Sequence, residues 1–161
     1  GPGHFGMIIR ALVYILTYGN QIHKIAEHAV LNANMIRKKL KDHYQSASAS
    51  DSMHEAVFSD GKTKINGFET IHIAKSLIDY GYHPPTVYFP LSVPGAMMIE
   101  PTETESMDRI DHFCQVMIDI SKRIHDGDET LKDTPRRAFI RKVDEVTAAR
   151  KPVLNFFTNK A

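Results

Sequence analysis

The stretch at residues 79–90 reads DYGYHPPTVYFP and marks a change of local structure along the chain. Residues 69–80 before it have apolar side chains at helical spacing, and Gly81 suits the left-handed residue that ends a helix. The two prolines at 84 and 85 cannot continue a helix, because each lacks a backbone N–H and constrains the residue before it. The apolar triplet 87–89 is then predicted to form a short strand.

Helices are predicted on both sides of this transition. Residues 5–18 are densely apolar with one charge, which predicts a buried helix. Apolar side chains recur at steps of three and four along residues 21–44, which predicts an amphipathic helix. Residues 106–124 show the same periodicity, and Thr102 and Glu105 before them have the spacing of a capping box.

The remaining segments complete an α+β pattern. Short strands are predicted at 53–59 and 96–100, and a last amphipathic helix at 141–150. The apolar tail 153–157 is expected to dock on the rest of the chain. The order of helix, helix, strand, helix, strand, strand, helix, helix indicates a small sheet with helices packed on it.

The length suits one domain, so residues 1–161 are predicted to be a single small domain. Within it we expect a helical lead-in at 3–44, a sheet-and-helix core at 53–126 and a tail at 127–161. The opening Gly1-Pro2, without a methionine, is typical of a protease scar left by an expression vector.

Composition argues against several classes of protein. A net charge of +1 disfavours nucleic acid or an acidic membrane as the main partner, since both usually require a basic face. The apolar run 11–16 is too short to span a bilayer. The single cysteine, Cys114, cannot form an intrachain disulfide, and its apolar neighbours predict a buried thiol rather than a nucleophile.

Known catalytic and metal-binding patterns are absent from the sequence. The nine histidines include no pair at zinc-motif spacing, and no phosphate-binding glycine loop or nucleophilic serine elbow occurs. His54 and Glu55 are neighbours in a predicted strand, so their side chains would point to opposite faces. We therefore expect no metal site.

Two loops held by short strands are the candidate functional region, because such loops often carry binding residues. The first contains His83, Pro84, Pro85 and Thr86; the second contains Glu100, Thr102, Glu103 and Thr104. On pattern alone a structural role is favoured, in which the prolines shape the connections and the second loop caps a helix. Both interpretations stay open at this point.

Two long motifs carry a family resemblance. Residues 79–91 and 98–106 resemble the signatures of the C-terminal region of glycine decarboxylase, the P-protein of the glycine cleavage system. The ending AARKPVL at 148–154 resembles the second subunit of the two-subunit form. One departure is visible at 136–139, where RRAF replaces a histidine-containing stretch of the family, so that histidine's role cannot be transferred here.

The resemblance implies the small domain of the type I pyridoxal-phosphate fold, the aminotransferase-like fold. In that family the Schiff-base lysine lies in an upstream domain, which would hold most of the pyridoxal phosphate. The isolated chain is therefore expected to bind no cofactor and to be inactive. The full enzyme would release CO2 from glycine in the cytoplasm and pass the aminomethyl group to the lipoyl arm of the H-protein.

The resemblance also implies roles for particular residues and partners. His83 and Glu100 would assist proton movements, and the other residues of the two loops would line the pocket for substrate or lipoyl arm. The expected partners are the other enzyme subunit, the H-protein and glycine, and an exposed interdomain surface including 5–18 would cause self-association. The alternative function is a self-standing protein-interaction module without catalysis.

Overall fold

A computed structural model describes residues 3–155 and confirms the α+β class. The order of elements is as predicted except for one additional short strand between the second helix and the first predicted strand. The helices are α1 (Phe5–Tyr18), α2 (His23–Leu40), α3 (Thr70–Asp79), α4 (Met107–His125) and α5 (Glu145–Arg150). The strands are β1 (Gln45–Ser46), β2 (Ala56–Ser59), β3 (Thr86–Val87) and β4 (Met97–Ile99). Along residues 3–155, no helix is both long and apolar enough to cross a membrane.

The four strands form one antiparallel sheet in the order β1-β2-β4-β3. The central pair is β2 and β4, in which Ala56 lies opposite Ile99 and Phe58 opposite Met97. All four of these residues are buried, while Met98 between them is only partly buried. The alternation places one face of the central pair in the core. β3 is shorter than predicted, because Tyr88 has a φ of 59°.

Three helices supply the rest of the core around this sheet. A continuous cluster of buried side chains includes Ile36 of α2, Leu77 of α3 and Ile120 of α4. Tyr44, which is 1% exposed, lies just after α2, and its hydroxyl donates a hydrogen bond to the Met117 carbonyl oxygen at 2.8 Å. That bond satisfies a polar group that would otherwise be costly to bury.

The helix ends differ in part from prediction. Gly81 has a φ of 80°, as expected for the residue that terminates α3. The predicted capping of α4 by Thr102 and Glu105 is wrong. Ser106 is the N-cap instead, and its hydroxyl accepts a hydrogen bond from the backbone N–H of Arg109 at 3.3 Å.

α1 has the predicted bounds, but the prediction that it is buried is wrong. None of its residues is buried, and Phe5 and Leu16 remain 76% and 71% exposed. Exposed apolar side chains continue beyond α1, because Ile22 before α2 and Leu31 within α2 are exposed, and the buried apolar residues of α2 begin only at Ala33. The two helices thus present an apolar surface without a partner in the described chain.

The tail does not dock as predicted. α5 has no buried residue, and Val153 and Leu154 are 60% and 85% exposed. Residues 156 and 157, the end of the predicted docking segment, lie outside the described residues. At the described positions of the tail, the apolar side chains of Val153 and Leu154 therefore do not pack in the core.

We expect the stability of the fold to decrease in alkali through Cys114. Burial raises the pKa of its thiol from 9.0 to about 11. Between pH 9 and 11 the unfolded state holds fewer protons at this site, so the free energy of unfolding falls as pH rises. Urea denaturation across this range should show a steeper loss in the parent than in Cys114→Ala. Equal slopes in the two proteins would contradict the assignment.

We expect the isolated chain to self-associate through the apolar surface of α1. Replacing Ile8 by glutamate and Leu12 by lysine introduces two good helix formers as a favourable i,i+4 pair and removes exposed apolar area from one side of the helix. Sedimentation velocity at increasing concentration should shift towards monomer for this variant. The control is Leu91→Glu, because Leu91 is an apolar side chain outside α1 with 89% exposure. If both variants associate like the parent, α1 is not the contact.

Candidate functional site

The two predicted loops meet in one pocket of about 350 Å³ between the start of α4, the end of β4 and the segment before β3. Six of the eight residues predicted for the site line it. They are His83, Pro84, Pro85, Thr86, Glu100 and Thr102. The sheet register explains the meeting, because Thr86 of β3 lies opposite Met98 of β4. The segments that precede β3 and follow β4 are therefore neighbours in space.

His83 and Glu100 are the titratable residues predicted to move protons, and both are exposed. Among residues 3–155, neither side chain has a hydrogen bond or an ion pair. The prolines next to His83 give this wall of the pocket a backbone with restricted φ angles. The polar atoms of both side chains are thus without a hydrogen-bond partner in residues 3–155, and the backbone next to His83 is conformationally restricted.

Glu103 and Thr104 do not line the pocket. The Glu103 carboxylate accepts a hydrogen bond of 2.7 Å from the Tyr14 hydroxyl, and this raises the pKa of Tyr14 to about 12. The Thr104 and Thr102 hydroxyls share a hydrogen bond of 2.7 Å. The Asn32 side chain also donates to the Thr102 carbonyl oxygen at 3.0 Å. The second loop is therefore hydrogen-bonded to both α1 and α2.

The sequence interpretation missed several residues with polar or aromatic side chains in or beside the pocket. Arg109 and Phe113 line the pocket from α4, and Tyr82 lines it from the residue before His83. The Tyr82 hydroxyl lies 2.5 Å from Nδ1 of His112, and burial raises the pKa of Tyr82. Helical spacing offered a signal for the first two, because residues four apart lie on one face of a helix.

Arg109 is the cationic side chain among the residues that line this pocket. Its Nε lies 2.9 Å from Oε2 of Glu105, and its guanidinium carbon lies 5.6 Å from the centre of the Tyr82 ring. The charge of Arg109 is therefore paired with Glu105. The pocket combines this ion pair with an imidazole and a carboxylate, those of His83 and Glu100, that have no hydrogen bond or ion pair in residues 3–155.

The departure at 136–139 lies outside this pocket. The Asp79 carboxylate accepts hydrogen bonds from the backbone N–H groups of Arg136 and Arg137, at distances of 2.7 to 2.8 Å. These bonds use main-chain atoms, so the path of the segment does not depend on the arginine side chains. The difference from the family pattern therefore leaves the predicted pocket residues in place.

The expectation that His54 and Glu55 point apart is wrong. Both residues precede β2, which starts at Ala56, so the alternation of a strand does not apply to them. One potential ligand atom from each of His54, Glu55 and Glu100 lies within 4.8 Å of the other two. Glu100 thus belongs both to the pocket and to a second group of polar side chains beside it.

Comparisons with known proteins assign the family. The family described as "Glycine dehydrogenase, C-terminal domain" matches residues 25–141. This range contains every residue that lines the pocket. "Probable glycine dehydrogenase (decarboxylating) subunit 2" from Staphylococcus saprophyticus is 46% identical over 155 residues, 96% of this chain and 32% of that protein. The protein of the same name from Shouchella clausii is 43% identical over 159 residues, 98% of this chain and 32% of that protein.

The chain therefore spans about a third of the length of the curated relatives it matches. The family match covers α2 to the segment before α5, and the relatives match almost the entire chain at more than 40% identity. The sequence motifs, the α+β fold and these matches agree, and the chain belongs to the glycine dehydrogenase C-terminal domain family.

Proposed function

We propose that this chain is the part of a glycine decarboxylase that closes one side of its active site. The full enzyme would release CO2 from glycine and transfer the aminomethyl group to the lipoyl arm of the H-protein. The observation that carries this proposal is the convergence of His83, Thr86, Glu100 and Thr102, from two separate loops, in one pocket. A purely structural role for the two loops does not require their polar side chains to meet.

The pocket supplies only part of what a pyridoxal phosphate site requires. This cofactor is held through a lysine and serves as an electron sink when a bond to the substrate carbon breaks. No lysine is among the residues that line this pocket. The pocket therefore does not fit the covalent anchor of the cofactor, and we propose that the remainder of the longer subunit supplies it.

The side chains of this chain would act on protons and on the orientation of the substrate. An imidazole can accept and release a proton near neutral pH, so His83 is assigned this role. Glu100 lines the same pocket and would receive or return the proton. The apolar lining, which includes Pro84 and Phe113, would limit the access of water to the reacting groups.

The proposed assembly follows from the shape and chemistry of the described chain. Residues 3–161 would form one small domain, in which residues 3–44 make the contact with the rest of the enzyme through the apolar surface of α1. The other enzyme subunit and the lipoylated H-protein would be its partners in the cytoplasm. The exposed α1 surface also favours a second candidate function, a protein-interaction module without catalysis.

We expect pyridoxal phosphate to form no specific adduct with the isolated chain. The reason is that the pocket lacks a lysine, so only random surface amines can react. The measurement is borohydride trapping followed by peptide mass spectrometry. Low, scattered labelling of several lysines is the expected result. A stoichiometric adduct at one lysine would show that the chain carries its own cofactor site.

We expect His83→Gln in the full two-subunit enzyme to reduce kcat with little change in thermal stability. The reason is that the exposed His83 side chain has no partner in the described fold, so its loss removes chemistry and not packing. A loss of roughly 100-fold is typical of a missing general acid or base. The readout is the exchange of labelled bicarbonate with the carboxyl group of glycine.

The matched control is His125→Gln, an exposed histidine at the end of α4 outside the pocket and outside residues 3–44. It should retain the parent rate. Parent-like kinetics of His83→Gln would refute the assignment of His83. An enzyme that retains its rate after substitution of both His83 and Glu100 would favour the interaction-module function for this region.

A further inference from the structure

The register of the central strands places two carboxylates opposite each other. In the ladder of β2 and β4, Ala56 is paired with Ile99. Glu55 is the residue before that pair on one strand, and Glu100 is the residue after it on the other. Both glutamates lie one position beyond the paired residues of β2 and β4, so the register brings their backbones near each other. Potential ligand atoms of their side chains lie within 4.8 Å of each other.

This arrangement is unfavourable without a cation. Like charges directly opposite each other on paired strands destabilise a sheet. In the described part of the chain, no lysine or arginine forms an ion pair with either glutamate, and neither accepts a hydrogen bond. Arg109, a lining residue of the same pocket as Glu100, is paired with Glu105 instead. The repulsion between the two carboxylates is therefore not relieved by another side chain.

A third ligand lies beside the two carboxylates. Ligand atoms of His54, Glu55 and Glu100 are all within 4.8 Å of one another. The His54 side chain forms no hydrogen bond with any group in residues 3–155. Three protein ligands at about 2.0–2.2 Å from a tetrahedral ion are about 3.4 Å apart, so a modest rotation of the side chains would bring these atoms to ligand distances.

We propose that His54, Glu55 and Glu100 bind one divalent transition-metal cation, with Zn2+ as the best-fitting ion. One imidazole nitrogen and two carboxylate oxygens suit Zn2+, whereas Mg2+ and Ca2+ prefer oxygen ligands alone. The ion neutralises the facing carboxylates and joins the ends of the two central strands. A water molecule completes the tetrahedron, as in zinc sites with three protein ligands.

This site is independent of the proposed decarboxylase function, although the two share Glu100. Binding to the isolated chain requires neither pyridoxal phosphate nor glycine. The metal would hold the Glu100 side chain on the strand end and so set its direction at the wall of the pocket. A failure of metal binding would leave the role of His83 untouched, and inactivity of His83→Gln would not bear on the metal.

The test is titration of the chelator-treated chain with ZnCl2 at pH 7 by isothermal calorimetry. We expect one Zn2+ per chain at this site, and much weaker binding of MgCl2 measured in parallel. His54→Ala and Glu100→Gln should each weaken the Zn2+ affinity by roughly tenfold or more, because each removes one of three ligands. Glu55→Gln provides a third variant, and circular dichroism of the metal-free proteins verifies that each one folds.

The control variants are His28→Ala and Glu27→Gln, exposed residues of α2 outside the cluster. Both should bind Zn2+ like the parent. Mn2+ added to 15N-labelled chain should broaden amide signals around residues 54–56 and 99–100 before any others. The proposal is overturned if Zn2+ does not bind, if binding persists unchanged in His54→Ala and Glu100→Gln, or if the control variants lose it equally.

Discussion

The antiparallel pairing of β2 with β4 is the constraint on which the rest of this structure depends. It joins a strand that follows α2 to a strand that precedes α4, and the buried side chains of both strands contribute to the core cluster. β1 and β3 are attached to its two outer edges. Because the side-chain period of a strand is two, a slip of one residue would exchange the core face with the outer face. Core, edges and loops therefore all follow from one register.

The same register creates the chemistry of the pocket. Short strands end within a few residues of each other, so the segments beyond β4 and before β3 lie side by side. His83 and Glu100 are carried by these segments and not by the strands themselves. A rigid frame with polar side chains on adjoining loops is a common arrangement for a site, because loops can vary without disturbing the core. The pocket of this domain also needs a partner that supplies a lysine, if it is to serve pyridoxal-phosphate chemistry.

The exposed apolar surface of α1 has a direct link to this pocket. Tyr14 of α1 donates a hydrogen bond to Glu103, and Asn32 of α2 donates one to the carbonyl oxygen of Thr102. The Tyr14–Glu103 hydrogen bond therefore connects α1 directly to the loop that carries Thr102 at the pocket. The relatives contain about twice as much additional chain as is described here.

Periodicity and turn chemistry in the sequence by themselves determined the α+β class, the order of the elements other than β1, and the bounds of α1, because these depend on local spacing. Gly81 and the prolines at 84 and 85 likewise specify their own backbone geometry. Burial of α1 was predicted wrongly. Apolar content shows that burial of a helix would be favourable, but it does not show that another part of the chain packs against the helix. The tertiary structure alone decided that Arg109 joins His83, and that Glu55 faces Glu100. Strand pairing and helix packing bring together residues that are distant in the chain. A local sequence pattern contains no information on which distant residues will be close in space.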